Sequence, residues 1–247
     1  MKREAGQSDR RRMALTAELV ALCDRAEADP GPESGFRYLT EAEFDAAAAG
    51  LLKQRLGDDK ADCPVGIFAY GSLIWKPEVE VKQRVRARAY GWHRTFSLEL
   101  TRWRGSPTQK GLMMGLGRGG CCDGVIDYLD PADQAGQIGL LLRREISTPE
   151  ELSGVRWVSA ETAKGRERAL AFWAAPTGLD YVRERSLEEV AHILCRACGH
   201  IGSGAAYLFE TVSKLHELGI RDRNLWRLQQ LVAREICELH GCRDTPL

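Results

Sequence analysis

The pattern of apolar residues divides the chain into a helical start, a central region of strands and a helical end. Between residues 65 and 173, short apolar runs bounded by glycine and polar residues are typical of strands. One helix interrupts them, from Pro131 to about Glu145. Strands grouped with so few crossover helices predict an α+β fold with a curled mixed or antiparallel sheet. The predicted strands cover residues 65–70, 84–90, 95–100, 112–116, 124–129, 155–158 and 169–173.

The start of the chain predicts an accessory helical region. Leucine recurs at helical spacing over residues 15–22. A second helix is predicted from Thr40, where Glu43 three residues later completes a capping box, to about Leu56 and Gly57. The predicted division of the chain is therefore residues 1–60 and residues 61–247.

After the last predicted strand, the pattern indicates three amphipathic helices that we expect to cover the sheet. The first begins with a capping box formed by Ser186 and Glu189 and is predicted to end at Gly199. The second follows a break at residues 202–204, and the third includes residues 225–236.

Charge and hydropathy exclude several classes of partner. The 247 residues include 35 Lys and Arg and 35 Asp and Glu, so no net charge attracts nucleic acid or an anionic membrane surface. No apolar run approaches the length that spans a bilayer. The basic residues near the N-terminus are not followed by the apolar region of a signal peptide. We therefore expect a cytoplasmic protein that binds neither nucleic acid nor a membrane.

Eight cysteines raise the question of a metal site. Cys195 and Cys198, with His192 and His200 nearby, provide thiolate and imidazole ligands that zinc prefers. A structural zinc site usually needs a second ligand pair at a matching spacing, and the other candidates follow only near the C-terminus. A spacing of three also puts both thiols on one face of a helix, where cysteine packs as a small apolar residue. We expect reduced, packed thiols and no metal site.

The glycines between residues 115 and 120 match the spacing of a dinucleotide-binding loop. That loop binds pyrophosphate only when its glycines open a helix. Here the sequence from Cys122 to Leu129 reads as another strand, and the next helix begins later. We reject the dinucleotide site and predict a glycine-rich connection between two strands.

Two segments carry the candidate chemistry. The strand that begins at Val65 ends at Gly71 and Ser72, where small residues can leave backbone N–H groups free and form the floor of a pocket. An ordinary turn after a core strand is the alternative. Glu145 follows an apolar run at the end of its helix, where burial and the helix dipole raise a carboxyl pKa toward the range of a general base. The preceding arginines oppose that shift, and a surface ion pair is the alternative for Glu145.

Taken together and in order, the motifs resemble the ChaC-type γ-glutamylcyclotransferases over about residues 65–231. The resemblance implies a small mixed, barrel-like sheet with flanking helices. It also implies release of 5-oxoproline from γ-glutamyl peptides, chiefly glutathione, with no cofactor. The motifs are Phe68-Ala-Tyr-Gly-Ser-Leu-Ile-Trp75, Tyr90-Gly-Trp-His-Arg-Thr-Phe96, Arg104-Gly105 with Pro107, Gly120 to Gly124, Arg144-Glu145, Gly202-Ser-Gly204 with Tyr207-Leu208, and Leu218-Gly-Ile-Arg-Asp222.

The resemblance implies a role for each site residue. Glu145 matches the catalytic carboxylate of the family, and the backbone of the loop over the pocket supplies donors for the developing oxyanion. The expected substrate-binding residues are Tyr70, Gly71, Ser72, Leu73 and Tyr207.

The chain also departs from the family pattern. Family members commonly have a glycine and an aromatic residue soon after the catalytic Glu, whereas here a polar segment precedes Gly154, and Trp157 is the candidate replacement for the aromatic residue. Ala205 occupies a position that is often polar. Two alternatives therefore stay open: a cyclotransferase for another γ-glutamyl amine or amino acid, and a non-catalytic protein that binds γ-glutamyl compounds.

Overall fold

Five strands close into a barrel in the computed structural model, which describes residues 12–55, 63–175 and 184–242. Around the barrel the order is β1-β3-β2-β4-β5, and β1 closes it by pairing in parallel with β5 while the other pairs are antiparallel. The predicted α+β fold with a mixed, barrel-like sheet is confirmed. The strands are β1 Gly66–Ala69, β2 Gln83–Leu100, β3 Gly111–Tyr128, β4 Arg156–Thr162 and β5 Gly165–Ala171.

The two longest strands each join two segments that we predicted as separate. The predicted strands at 84–90 and 95–100 both lie in β2, and those at 112–116 and 124–129 both lie in β3. The glycines taken for a connection between strands are part of β3, so that prediction was wrong. Gly119 and Gly120 have positive φ of 97° and 70°, opposite a register shift between Tyr90 and Trp92. This β-bulge interrupts the apolar pattern without ending the strand. The glycines lie within β3 and do not open a helix, so they lack the geometry of a dinucleotide-binding loop.

Six α-helices are described, and the longer ones cover the barrel. Both predicted capping boxes form, at Thr40 with Glu43 and at Ser186 with Glu189. Three-residue 3-10 helices also cover Ser72–Ile74 and Pro131–Asp133, and a two-stranded hairpin of β6 and β7 precedes the fifth α-helix. The elements are α1 Ala17–Ala21, α2 Glu41–Arg55, α3 Gln134–Glu145, α4 Leu187–Leu194, β6 Cys198–Gly199, β7 Gly202–Ser203, α5 Gly204–Glu217 and α6 Arg223–His240.

Two helices are shorter than predicted. Only Ala17–Ala21 is helical in the first, and the helix that begins after Ser186 ends at Leu194 rather than Gly199. The chain leaves α4 early because Cys198 and Gly199 pair with β7 instead. The predicted end of α2 at Leu56 and Gly57 lies outside the described residues.

The described part of the N-terminal region shares a core with the barrel. Leu15 is fully buried, and its N–H donates to the side chain of Gln229 in α6 over 2.8 Å. Apolar residues of α2, Phe44 among them, belong to the same cluster as those of β1. The division at residue 60 stays a prediction. Within the described ranges, no helix is both long and apolar enough to cross a membrane.

Candidate active site

A cavity opens beside the end of β1. The chain leaves β1 at Tyr70, turns at Gly71 and enters the 3-10 helix Ser72–Ile74. The cavity brings together Glu145 and all five expected substrate-binding residues, although their roles stay predictions. The lining residues are Tyr70, Gly71, Ser72, Leu73, Met113, Met114, Glu145, Phe172, Trp173 and Tyr207.

Glu145 is the carboxylate of this cavity. It is the last residue of α3, and its side chain is only 9% exposed. Burial raises the pKa of its carboxyl group, against the opposing effects of Arg144, whose Nε lies 3.1 Å from Oε1, and of the indole N–H of Trp173. The surface ion pair considered as the alternative does not describe this residue. A raised pKa makes a carboxylate a better proton acceptor than usual, which suits a group that takes up a proton and returns it.

The hydroxyl of Tyr207 faces the loop after β1. Tyr207 lies in the second turn of α5, and its ring packs edge-on against Trp75 and Phe96. A Cβ built on Gly71 would lie 3.0 Å from the Tyr207 hydroxyl oxygen. Burial and the nearby Glu145 raise the pKa of Tyr207 to about 12, so its hydroxyl stays protonated at neutral pH. Gly71 is therefore needed for the close approach of this hydroxyl donor to the loop.

Tyr70 forms a wall of the cavity. Its side chain is 6% exposed, and its hydroxyl donates to the carbonyl oxygen of Phe172 over 2.8 Å. Burial raises its pKa well above the usual value. Because its proton is used in this internal hydrogen bond, Tyr70 can contact a ligand through its ring and backbone.

Arg94 holds the loop after β1 in place, a role that we did not predict from the sequence. Its Nε donates to the carbonyl oxygen of Tyr70 over 2.7 Å, and its Nη1 donates to Asp222 Oδ2 over 3.0 Å. A further guanidinium N–H donates to the carbonyl oxygen of Asp123. The sequence pattern does indicate a buried Arg94, because it lies two residues from both Trp92 and Phe96 and therefore shares the inward face of β2 with them. An arginine at an inward position predicts a buried partner.

Replacing Arg94 with methionine is expected to lower the free energy of unfolding by about 3 kcal/mol, because it leaves the Asp222 carboxylate without its buried partner. The matched control is Arg88→Met on the same strand. Arg88 pairs with Asp123, but 47% of its side chain is exposed, so the loss there is expected to stay below about 1 kcal/mol. Chemical denaturation of both variants measures the difference. Equal losses would contradict a supporting role for Arg94.

Trp157 does not take the place of the aromatic residue that family members have soon after the catalytic Glu. The indole of Trp157 donates to the carbonyl oxygen of Leu51 in α2 over 3.2 Å, and Trp157 does not line the cavity. Trp173, which follows β5, lines it instead. Our interpretation of Trp157 was therefore wrong, because strand β4 turns this side chain toward α2.

The cysteines considered for zinc are packed in the interior. Cys195 and Cys198 are 3% and 0% exposed, and burial raises the pKa of the Cys195 thiol to about 12. They do not share a helix face as we expected, since Cys195 caps α4 and Cys198 lies in β6. Throughout the three described ranges, no group of three or more His, Cys, Asp or Glu residues is arranged to hold a metal ion.

Comparison with solved structures assigns the fold to a class. A crystal structure of a yeast γ-glutamyl cyclotransferase specific to glutathione superposes with a TM-score of 0.61 at 18% identity, covering 69% of this chain and 96% of the yeast chain. The barrel with its helices is therefore a γ-glutamylcyclotransferase fold.

Sequence comparison then identifies the family. The profile of the ChaC-like protein family matches residues 65–235. The glutathione-specific γ-glutamylcyclotransferase of Escherichia coli K12 is 34% identical over 71% of this chain and 75% of its own length. γ-Glutamylcyclotransferase 2-3 of Arabidopsis thaliana is 24% identical over 70% of this chain and 90% of its own length. The chain belongs to the ChaC-like family.

Proposed function

We propose that this protein cleaves a γ-glutamyl peptide into 5-oxoproline and the remaining amine. The proposed substrate is glutathione, from which the remaining amine is Cys-Gly. The observation that carries the proposal is the buried carboxylate of Glu145, which lines the same cavity as the loop after β1 and has a raised pKa. The 34% identity to the glutathione-specific enzyme of E. coli supports glutathione as the substrate.

Glu145 serves as base and then as acid. Its carboxylate takes a proton from the α-ammonium group of the γ-glutamyl residue, and the free amine attacks the γ-carbonyl carbon to form the five-membered ring. The bond from that carbon to the nitrogen of the leaving amine then breaks as Glu145 returns the proton to this nitrogen. The ring nitrogen loses its second proton as the lactam forms, and the released amine takes up this proton to become an ammonium group. One carboxyl group with a raised pKa suits both transfers, and no proton is lost or gained overall.

The loop after β1 stabilises the charge that develops on the γ-carbonyl oxygen. Gly71, Ser72 and Leu73 line the cavity together with Tyr207 and Glu145. The proposed donors are the backbone N–H groups of this loop and the protonated hydroxyl of Tyr207, which the N–H of Ser72 holds in place. Fixed donors of this kind supply much of the stabilisation in acyl transfer. Because both reacting groups belong to one molecule, holding the γ-glutamyl chain in its bent form supplies a further large part of the rate.

Incubating the purified protein with glutathione and analysing the products by mass spectrometry tests the proposal. We expect 5-oxoproline and Cys-Gly in equal amounts. A panel of γ-glutamyl amino acids and amines run in parallel identifies a different donor if glutathione is not the preferred one. The absence of 5-oxoproline from every donor would reject the proposed function.

Activity is expected to be unchanged by chelators. The proposed steps need only protein groups, and the candidate thiols Cys195 and Cys198 are packed in the interior. Rates with glutathione are measured before and after treatment with EDTA, then with added zinc. A loss in EDTA that zinc restores would revive the zinc interpretation.

We propose a cytoplasmic location and a small-molecule partner rather than nucleic acid or a membrane. All eight cysteines are free thiols, which suits a reducing compartment. The equal numbers of acidic and basic residues support a partner that is not a polyanion.

A further inference from the structure

Arg104 is a largely buried arginine that forms no ion pair with any residue that the structure describes. It follows β2, and its Nη1 donates to the carbonyl oxygen of Ser203 over 2.9 Å. Among the described residues, no carboxylate forms an ion pair with it, although Asp24 and Glu210 are close enough to raise its pKa. Burial is the larger effect and lowers that pKa. A buried guanidinium with free donors is costly unless an anion binds it.

The aromatic side chains around Arg104 connect it to the cavity. Its guanidinium carbon lies 5.5 Å from the ring centroid of Tyr207 and 5.8 Å from that of Trp75. The hydroxyl end of the same Tyr207 ring faces Gly71 inside the cavity. One tyrosine ring therefore separates the Arg104 guanidinium from the proposed γ-glutamyl site.

The N-terminal segment fixes the loop that carries Arg104. Asp29 accepts two hydrogen bonds of 2.6 Å from the guanidinium of Arg102. Asp24 accepts a hydrogen bond from the N–H of Ser203, the residue whose carbonyl binds Arg104. These contacts fix the neighbouring Arg102 and the hydrogen-bond partner Ser203, which limits the movement of the Arg104 guanidinium. A cation that is already fixed loses little entropy when it binds a ligand.

We propose that Arg104 binds the carboxylate at the far end of a γ-glutamyl peptide, the glycine carboxylate in glutathione, and thereby favours peptides over neutral γ-glutamyl amines. The assignment rests on the proposed function. Two extended residues span about 7 Å, which is about the width of an aromatic ring. The Cys-Gly part of glutathione is therefore long enough to reach from the γ-glutamyl site past the Tyr207 ring to Arg104. The planar guanidinium suits a carboxylate because it can donate two parallel hydrogen bonds.

The test compares glutathione with its C-terminal amide, which lacks only the far carboxylate. The value of kcat/KM is measured for both substrates with the wild type, Arg104→Gln and Arg104→Lys. We expect the wild type to prefer glutathione by about tenfold or more. Arg104→Gln is expected to lose that factor on glutathione and almost nothing on the amide, with Arg104→Lys in between, because lysine keeps the charge but not the paired donors.

The control is Arg118→Gln. Arg118 also lies over an aromatic ring, with its guanidinium carbon 4.7 Å from the centroid of Trp92, but Trp92 does not line the cavity, whereas the Tyr207 ring beside Arg104 does. It is expected to leave the preference unchanged. If Arg104→Gln does not fold, the preference of the wild type and of Arg104→Lys decides the question.

Equal losses on both substrates, or a wild type that turns over the amide as well as glutathione, would overturn the assignment and leave the proposed function intact. If the wild type forms 5-oxoproline from neither substrate and from no other donor, the proposed function fails and the assignment fails with it.

Discussion

Replacing Glu145 with glutamine is expected to lower kcat for glutathione by at least about a hundredfold while the protein stays folded. The amide keeps the shape of the side chain but cannot take the proton from the α-ammonium group. Residual activity within tenfold of the wild type would contradict the role of Glu145 as base.

The matched control for this variant is Glu151→Gln. Glu151 is another carboxylate whose pKa is raised by burial, and it accepts hydrogen bonds from the N–H groups of Ser147 and Thr148. It does not line the cavity, and a glutamine oxygen can accept the same bonds. Its kcat is expected to stay near that of the wild type.

Stability separates the catalytic effect from a structural one. The pKa of Glu145 is raised in the folded state, so the folded protein favours the protonated form, and ionisation destabilises it as the pH rises through that pKa. Glutamine resembles the protonated form. The Tm of Glu145→Gln at pH 8 is therefore expected to equal or exceed that of the wild type, with the difference shrinking at pH 4.

Replacing Gly71 with valine is expected to lower kcat/KM by on the order of a hundredfold, because small displacements of reacting groups cost about this much. The added Cβ would lie 3.0 Å from the Tyr207 hydroxyl and force it away from the loop. In the proposed site the loop contacts only the γ-glutamyl group, so the loss is expected to be equal for every γ-glutamyl donor. A panel of donors measures this, and a changed order of donors would contradict the location of the γ-glutamyl site.

Two companion variants sharpen this test. Gly50 lies in α2 with no atom within 4 Å of its built Cβ, so Gly50→Val adds the same side chain and is expected to leave kcat/KM unchanged. Adding Tyr207→Phe to Gly71→Ala removes the hydroxyl that the new Cβ meets. The double variant is expected to lose less than the sum of the two single losses, because both act on one contact.

The position of Glu145 at the end of a helix could be predicted because local signals determine it. Asp133 and the apolar residues of α3 define a helix that ends at Glu145 and buries one face, and this brings the carboxylate to the barrel. The turn at Gly71 is equally local, since an apolar strand ends there in small residues. Local signals therefore predict the elements that carry both residues. Their place in one site was predicted from the family resemblance, since a surface ion pair and an ordinary turn stayed open as alternatives.

Other features depend on contacts between distant segments. Strand β3 stays continuous through the bulge at Gly119 because β2 pairs with it both before and after the bulge. The environments of Arg94 and Arg104 are set by Asp222, by Ser203 and by the N-terminal segment, all far away in the sequence. No local pattern predicts such pairings, which explains why the helical start of the chain looked unrelated to the site.

The fate of the γ-carbonyl oxygen tests the central claim most directly. The purified protein is incubated with glutathione in water enriched in ¹⁸O, and the masses of the products are measured by mass spectrometry. Attack by the substrate's own amine predicts 5-oxoproline that carries no ¹⁸O, released together with Cys-Gly. Glutamate that carries one ¹⁸O atom in its γ-carboxylate would instead show that water is the nucleophile, and it would contradict the cyclisation that Glu145 and the loop after β1 are proposed to promote.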